Sequence, residues 1–398
     1  MTIGLEPAGA HRLRIVVLGY IVRGPLGGLA WHHLQYVMGL ARMGHEVCFL
    51  EDSGDTPWCC YDPSRDVTDA DPTYGLAFCA AAFERAGLSD CWAYHDAHTT
   101  RWRGPLADQA LDRCRAADLL LNLSGANRLR PWTGSIPVRV LIDTDPVFTQ
   151  IRHLTDPDRR RDAERHTAFF SFGQNIGGAA TIPDDGLPWQ PTRQPIVLDA
   201  WPLVPGPPTG PFTTVMQWDS YAPREHGGRL FGMKSESFRA YLDLPTRTDQ
   251  VFEIAVGGRP AAQALCGHGW TVSNPIKTIP DMGGFQAFVQ RSKAEFSVAK
   301  HGYVLSRSGW FSDRSAAYLA SGRPVVTQDT GFTDWMPAGT GVLVFTSLEE
   351  AVACIADVNA RYEEHSLAAR RLAERHFDAR TVLADLLQRV GAAQRVQV

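Results

Sequence analysis

Short apolar runs alternate along the chain with segments in which apolar residues return every three or four positions. The first run, RIVVLGYIV at 14–22, is typical of a strand buried on both faces of a parallel sheet. A glycine-rich loop at 23–28 follows, and a helical pattern over 29–44 then leads to a second apolar run at 45–52. This order predicts a strand–helix–strand unit at the start of the chain.

The alternation continues through most of the sequence, with a proline-rich interruption at 183–212 that predicts an interdomain linker. Further strands are predicted at 118–125, 138–145, 167–173, 212–220, 250–258, 294–300, 324–329 and 341–345. Further helices are predicted at 74–87, 106–117, 235–244, 284–292, 312–322 and 347–360, with a long C-terminal helix that ends near residue 390. The pattern therefore predicts an α/β protein with two Rossmann-like domains that face a central cleft.

The domains are predicted at 1–205 and 206–375, and residues 376–398 are expected to form a helix that packs back on the first domain. A length of 398 residues fits two hydrophobic cores. The net charge of −4 and the scattered basic residues give no footprint for nucleic acid or an anionic membrane. With no long apolar stretch and no apolar N-terminal region, we expect a cytoplasmic protein without a membrane segment.

The stretch SGWFSDRSAAYLASGRPVVTQDTGF at 308–332 carries the clearest chemical signal. Ser312 stands where a helix is predicted to begin, and Asp313 follows in its first turn. Free N–H groups at such a helix start can hold phosphate oxygens. The strand after this helix ends at 329–331, so the helix start and the strand end are expected to face one ligand from two sides.

This stretch, followed by GTGVLVF at 339–345 and a LEEA helix, resembles the nucleotide-sugar half of two-domain (GT-B fold) glycosyltransferases. The N-terminal unit with GHEVCFLED at 44–52 is similar to their acceptor half. Several whole strings also resemble bacterial proteins described only as glycosyltransferases. Retaining members of the fold carry two glutamates in this region, and the aligned positions here hold Gly309 and Ala317. The resemblance therefore leaves the anomeric outcome and the donor sugar open.

The resemblance implies a donor site in the second domain. A leaving diphosphate gains negative charge, so a cation must stabilise it, and Lys234 is the first candidate and Arg314 the second. The other residues expected on the donor side are Ser308, Gly309, Ser312, Asp313, Asp329, Thr330 and Gly331. On the acceptor side we expect Gly27, Gly28 and Trp31, which surround the start of the first helix.

An inverting transfer needs a base for the acceptor hydroxyl. His32 and His33 lie on the first turn of the first helix, at the end that faces the cleft, and one of them is expected to face inward. The competing candidates are Asp143 and Asp145 at the end of a strand in the same domain. The same two residues form the DTD sequence, but its domain and the proline after it argue against a metal site. We therefore expect neither a metal nor a cofactor.

The predicted function is transfer of a sugar from a nucleotide sugar to a hydroxyl of a small-molecule acceptor, for which a natural product is the expectation. A sugar-nucleotide epimerase or a non-catalytic sugar-nucleotide binder on the same fold is the alternative, and the missing glutamate pair supports it. A NAD(P)-dependent oxidoreductase is a further alternative, because a glycine-rich loop follows the first strand and Glu51 and Asp52 end the second. However, the loop glycines do not form GxGxxG.

Overall fold

The computed structural model describes residues 12–178, 180–257 and 259–391 and contains two large sheets, parallel at all but one strand pair, that are covered by helices. The strands are β1 (Arg14–Leu18), β2 (Glu46–Asp52), β3 (Cys60–Asp62), β4 (Val67–Asp69), β5 (Trp92–Asp96), β6 (Arg101–Arg103), β7 (Leu119–Leu123), β8 (Val138–Asp143), β9 (Ala168–Ser171), β10 (Trp189–Pro191), β11 (Phe212–Met216), β12 (Arg224–His226), β13 (Arg229–Phe231), β14 (Phe252–Val256), β15 (Thr271–Ser273), β16 (Ala294–Ser297), β17 (Val325–Gln328) and β18 (Val342–Phe345).

The α-helices connect these strands and cover both faces of each sheet. They are α1 (Gly27–Arg42), α2 (Thr73–Arg85), α3 (Ala110–Ala116), α4 (Phe148–Thr155), α5 (Pro157–Glu164), α6 (Lys234–Phe238), α7 (Arg259–Leu265), α8 (Pro275–Thr278), α9 (Met282–Arg291), α10 (His301–Ser306), α11 (Asp313–Ala320), α12 (Leu348–Ala360), α13 (Tyr362–His376) and α14 (Ala379–Arg389).

The first sheet has the order β10-β9-β8-β7-β1-β2-β5-β6 and is parallel except at the β5–β6 pair. The second sheet has the order β15-β14-β11-β16-β17-β18 and is parallel throughout. Strands such as β7 and β17 are buried along their whole length, as their continuous apolar sequences predict. The α/β class and the two Rossmann-like sheets are thus confirmed.

The carboxyl ends of β1, β7 and β8 lie side by side, because these strands are neighbours in the first sheet. In the second sheet, β11 and β16 are neighbours, and α11 follows β16 through the short helix α10. In open sheets of this kind, ligands bind beyond the carboxyl ends of the strands, where the strand order reverses. These two sets of strand ends therefore mark the candidate site.

Several predicted elements differ from the structure. The first strand ends at Leu18 rather than at residue 22, and α1 already begins at Gly27. The proline-rich interval is partly regular, since β10 adds to the edge of the first sheet, where proline removes no hydrogen bond that the sheet needs. The long C-terminal helix is two helices, α13 and α14. Gly39 of α1 leaves room for Leu383 of α14, so α14 packs on the first domain.

Candidate active site in the interdomain cleft

The loop after β1 holds a carboxylate of the protein itself. Glu51, at the end of β2, is 1% exposed and accepts hydrogen bonds from the backbone N–H groups of Ile21, Val22 and Arg23 at 2.7–2.8 Å. The Arg23 side chain donates a further bond at 3.3 Å. Burial raises the pKa of Glu51, and the charge of Arg23 and the three N–H groups act against this rise. In a dinucleotide-binding domain, such N–H groups would face the pyrophosphate.

Asp52 is also committed to internal contacts. Arg130 donates two hydrogen bonds to its carboxylate at 2.8 and 3.0 Å, and His95 lies 2.8 Å away on the other side. Burial opposes ionisation, but these hydrogen bonds outweigh it and lower the pKa of Asp52 to about 2. Asp52 is therefore not available to a ribose, and Glu51 occupies the N–H groups that a pyrophosphate would need. The oxidoreductase alternative loses both observations on which it rested.

We expect Glu51→Gln to lower the free energy of unfolding by about 2 kcal/mol, because one carboxylate oxygen becomes an NH₂ group that faces buried donors. Urea unfolding followed by circular dichroism measures this change. The control is Glu84→Gln on the exposed face of α2, which should change stability by less than about 0.5 kcal/mol. Equal stabilities for the two variants would contradict this account of the loop.

The two neighbouring histidines of α1 have different surroundings. His33 is fully buried, its Nδ1 lies 2.7 Å from the Leu29 carbonyl, and its Nε2 accepts a bond from the Tyr20 N–H at 3.2 Å. Burial is the main cause that lowers the pKa of His33 to about 3. With both ring nitrogens bonded inside the domain, His33 cannot reach an acceptor. Its candidacy as the base is therefore wrong, and it supports the loop after β1 instead.

His32 faces the second domain. Its Nδ1 lies 3.2 Å from Oδ2 of Asp313, which is the first residue of α11. Its Nε2 is buried and has no hydrogen-bond partner among the described residues. Burial would raise the pKa of Asp313, but the bond and charge of His32 outweigh this effect and lower it to about 2. A small cavity between α1 and α11 is lined by both residues.

Asp143 and Asp145 serve different structural purposes. Asp143 is 2% exposed and accepts hydrogen bonds from Thr149 and Ser171 at 2.7 Å, which fixes the turn after β8. Burial raises its pKa, and these bonds act against the rise. Asp145 accepts a bond from Lys300 at 2.8 Å across the cleft. Since both carboxylates are occupied, the structure favours neither of them as the base.

Lys300 lies inside a cage of three aromatic rings. Its ammonium is 4.5 Å from the ring centre of Tyr221, 5.0 Å from that of Phe148 and 5.4 Å from that of Tyr303. Both tyrosine hydroxyls also donate to Asp145. Burial opposes ionisation of Asp145, but the charge of Lys300 and these bonds lower its pKa. The cage joins the two domains at the floor of the cleft.

Arg314, the second candidate for the donor phosphates, holds α11 against the second sheet. Its Nε donates to the fully buried Glu295 of β16 at 2.5 Å, and its other nitrogens donate to the Val215 carbonyl and to Ser297. The guanidinium therefore has an internal carboxylate partner. As a direct phosphate ligand, Arg314 is not supported by this arrangement.

Lys234 begins α6 and differs from both other cations of the cleft. It forms no ion pair with any residue in the described part of the chain. Burial is the main cause that lowers its pKa well below the usual value, and the nearby positive charges of Arg314 and Lys300 lower it further. Arg314 and Lys300 are paired with Glu295 and Asp145, whereas Lys234 forms no ion pair with any described residue. An anion bound here would stabilise its charged form.

The other residues expected on the donor side lie against a loop of the first domain. Asn175 donates to the carbonyls of Arg307 and Gly331 at 3.0 Å. Its side chain also occupies the space where a Cβ on Gly309 would lie. We expect a ligand to contact the residues at the start of the motif and after β17, which are Ser308, Gly309, Asp329, Thr330 and Gly331. The contacts of Asn175 fill this space instead.

Internal hydrogen bonds explain why this part of the motif is closed. The Gly309 N–H donates to the Thr330 carbonyl at 2.8 Å, and the Gly331 N–H donates to Asp329 at 2.8 Å. Ser312 occupies the N-cap position of α11, but its side chain forms no cap hydrogen bond. Of the motif, therefore, only the start of α11 with Asp313 remains directed at the cavity.

The residues expected on the acceptor side form the contact between α1 and α9. A Cβ on Gly27 would lie 2.2 Å from the Asp281 carbonyl oxygen, so only glycine permits this approach. Gly28 faces the Phe285 ring, and Trp31 donates from Nε1 to the Met282 carbonyl at 2.8 Å. Gly27 thus serves to pack the two domains together. Gly28 and Trp31 also line the cavity that His32 and Asp313 share, so an acceptor contact at these two residues stays a prediction.

Two classes of feature are absent from the described ranges. No helix there is long and apolar enough to cross a membrane. Within residues 12–178, 180–257 and 259–391, no group of three or more His, Cys, Asp or Glu side chains is arranged to hold a metal ion.

Comparison with solved structures identifies the architecture, although the sequence matches no protein-family model and no curated protein. An α-glucosyltransferase in complex with UDP and a DNA 13-mer matches with a TM-score of 0.58 and 11% identity, over 94% of this chain and 98% of that chain. HepE from Anabaena in complex with UDP and glucose matches with a TM-score of 0.55 and 9% identity, over 96% and 100%. Sucrose-phosphate synthase from Thermosynechococcus elongatus matches with a TM-score of 0.52 and 10% identity, over 96% and 100%. At these identities the likeness is one of fold.

Proposed function

Because the chain has the GT-B fold of two-domain glycosyltransferases, we propose that it transfers a sugar from a nucleotide-sugar donor to a hydroxyl of a small-molecule acceptor. The observation that carries this proposal is the half-buried Lys234, which begins α6 and forms no ion pair with any described residue, while Arg314 and Lys300 are near enough to lower its pKa. Such a cation suits the diphosphate that leaves during sugar transfer, because its charge grows in the transition state.

The donor lies, in this proposal, between Lys234 and the start of α11. The N-terminus of this helix adds a favourable dipole for negative charge. No metal is needed in this scheme, since Lys234 takes the charge of the leaving group. The two acids of the DTD sequence, Asp143 and Asp145, keep their internal partners.

His32 acts as the base. Asp313 holds Nδ1 of His32, which leaves the lone pair on Nε2 without a partner among the described residues, and His32 lines the cavity between α1 and α11. An acceptor hydroxyl that donates to Nε2 would lose its proton to His32 as its oxygen attacks the anomeric carbon, and the nucleoside diphosphate would leave from the opposite face. We therefore propose a single displacement, with inversion at the anomeric carbon.

The alternative is an epimerase or a non-catalytic binder of sugar nucleotides on the same fold. The missing glutamate pair at Gly309 and Ala317 still favours it. A protein that only binds sugar nucleotides needs no base. The buried nitrogen of His32, oriented by an aspartate of the other domain, therefore favours an enzyme. An epimerase would release the sugar or change it without an acceptor, so acceptor-dependent release of the nucleoside diphosphate distinguishes the two enzymes.

The first experiment is a thermal-shift panel of UDP, dTDP, GDP, ADP, NAD and NADP, with Mg²⁺ and with EDTA. We expect one nucleoside diphosphate to raise the melting temperature in both buffers and to identify the donor series for turnover assays. A bound ligand at 100 times its Kd stabilises the folded state by about 2.7 kcal/mol, which such a scan resolves. A shift with NAD or NADP alone would refute the proposal.

A further inference from the structure

A second cavity lies in the first domain, apart from the His32–Asp313 pair. It is located beyond the carboxyl ends of β7 and β8 and is closed by α4 and α5. Its lining includes Asn122, Arg128, Asp143, Arg152, Arg159 and Asp162. The proposed transfer reaction gives these residues no role.

The floor of this cavity holds an unsatisfied acceptor. Asn122 is 1% exposed, and its Nδ2 donates to the Asn127 carbonyl at 2.8 Å, which fixes the orientation of the amide. The same Nδ2 lies 3.1 Å from His166 Nε2. Oδ1 of Asn122 is buried and has no partner among the described residues. A buried acceptor without a donor is costly, so the site fits a ligand that presents a hydroxyl here.

The rim of the cavity carries three guanidinium groups. Arg128 pairs with Asp162 at 3.1 Å, and this neutralises the carboxylate on the rim. Nε of Arg152 is buried and lacks a hydrogen-bond partner in the described part of the chain, while another nitrogen of its guanidinium lies 3.9 Å from Asp145. Arg159 is exposed at the rim, and its side chain forms no ion pair with any described residue. Asp143, the other acid of the cavity, is already held by hydroxyl groups of its own domain. Arg159 therefore leaves an unpaired positive charge at the rim, and Nε of Arg152 adds an unused hydrogen-bond donor.

Arg152 connects this cavity with the cleft. Its guanidinium lies over the ring of Tyr221 from the second domain, 5.7 Å from the ring centre, and 3.9 Å from Asp145. Because β1, β7 and β8 are neighbours, the start of α1 and the cavity are separated by about two strand spacings, or about 10 Å. A small acceptor can span this distance.

We propose that the cavity binds an anionic group of the acceptor, a carboxylate or a phosphate monoester, with an adjacent hydroxyl donating to Asn122 Oδ1. Guanidinium groups bind both anions through paired hydrogen bonds. That the ligand is the acceptor rests on the proposed glycosyl transfer. The presence of an anion site does not depend on it. It narrows the acceptors from any small hydroxyl compound to acidic ones.

The test compares three probes of similar size: glycerol, glycerate and glycerol 3-phosphate. Each is titrated by calorimetry into the protein saturated with the nucleoside diphosphate that the thermal-shift panel selects. We expect one of the two anions to bind at least about tenfold more tightly than glycerol, and its identity distinguishes a carboxylate from a phosphate site. Arg159→Gln should weaken this binding about tenfold. Arg161→Gln on the same helix is the control, since Arg161 pairs with Asp158 on the surface.

Three results would overturn the anion site: no preference for an anion, equal effects of the two arginine variants, or displacement of the anion by the nucleotide. The last would mean that the anion had occupied the donor site. If no nucleotide binds but anion binding still depends on Arg159, the glycosyltransferase proposal fails and the anion site stands. The two proposals therefore fail separately.

Discussion

Replacing His32 by glutamine is expected to lower acceptor-dependent turnover by about 10²- to 10⁴-fold. Glutamine can keep a hydrogen bond to Asp313 but cannot take the proton of the acceptor hydroxyl. The affinity for the nucleoside diphosphate should stay within about twofold of the wild type, since His32 belongs to the first domain and the cations to the second. Release of the nucleoside diphosphate in the presence of an acceptor measures turnover, and calorimetry measures the affinity.

His268→Gln is a matched control. His268 also pairs with an aspartate, Asp243, at 2.7 Å, but this pair is exposed on the second domain. Its replacement should leave turnover unchanged. If His32→Gln turned over at the wild-type rate, His32 would not be the base, and the proton acceptor would have to be sought elsewhere in the cleft.

The His32–Asp313 pair joins the two domains across the cleft. One member lies on α1 of the first domain, and the other begins α11 of the second. The Asp145–Lys300 pair crosses the same cleft. A rotation of the domains would break both pairs at once, so the oriented base would exist only while the cleft is closed around its substrates.

Much of the fold could be predicted from the sequence, because strands buried on both faces of a sheet are almost purely apolar. The runs that became β1, β7 and β17 are examples. Edge strands were missed, as with β6, whose sequence RWR has no buried run. Proline misled the prediction at β10, since an edge strand tolerates a residue that donates no hydrogen bond.

The site was harder to predict, because the role of a charged residue depends on a partner that is distant in sequence. The sequence favours Arg314 as a phosphate ligand, but its guanidinium is paired with Glu295 of a neighbouring strand. Lys300 is the last residue of a predicted strand, and no sequence pattern marks its cage, because the cage is drawn from three separate segments. Gly27 and Gly28 suggest a ligand site, whereas they permit close packing of α9. A sequence shows which groups are charged, and only the fold shows which of them remain unpaired.

Lys234→Ala is expected to weaken binding of the nucleoside diphosphate by about 30- to 100-fold, because it removes a half-buried lysine that has no ion-pair partner among the described residues. Calorimetry gives the Kd.

The pH dependence of this binding supplies a second prediction. The pKa of Lys234 in the free protein is lowered first by burial and then by Arg314 and Lys300. A bound diphosphate would stabilise the ammonium form, so the complex holds more protons than the free protein. Binding should therefore take up protons, and the affinity should fall as the pH rises.

Lys277→Ala is the control, because Lys277 is an exposed lysine of α8 in the same domain. It should leave both the Kd and the proton uptake unchanged. Titrations in two buffers with different ionisation enthalpies measure the uptake, which should disappear in Lys234→Ala. A wild-type Kd in that variant would mean that the donor phosphates lie elsewhere. A weakened Kd with unchanged proton uptake would show that Lys234 shapes the site without being the group that titrates.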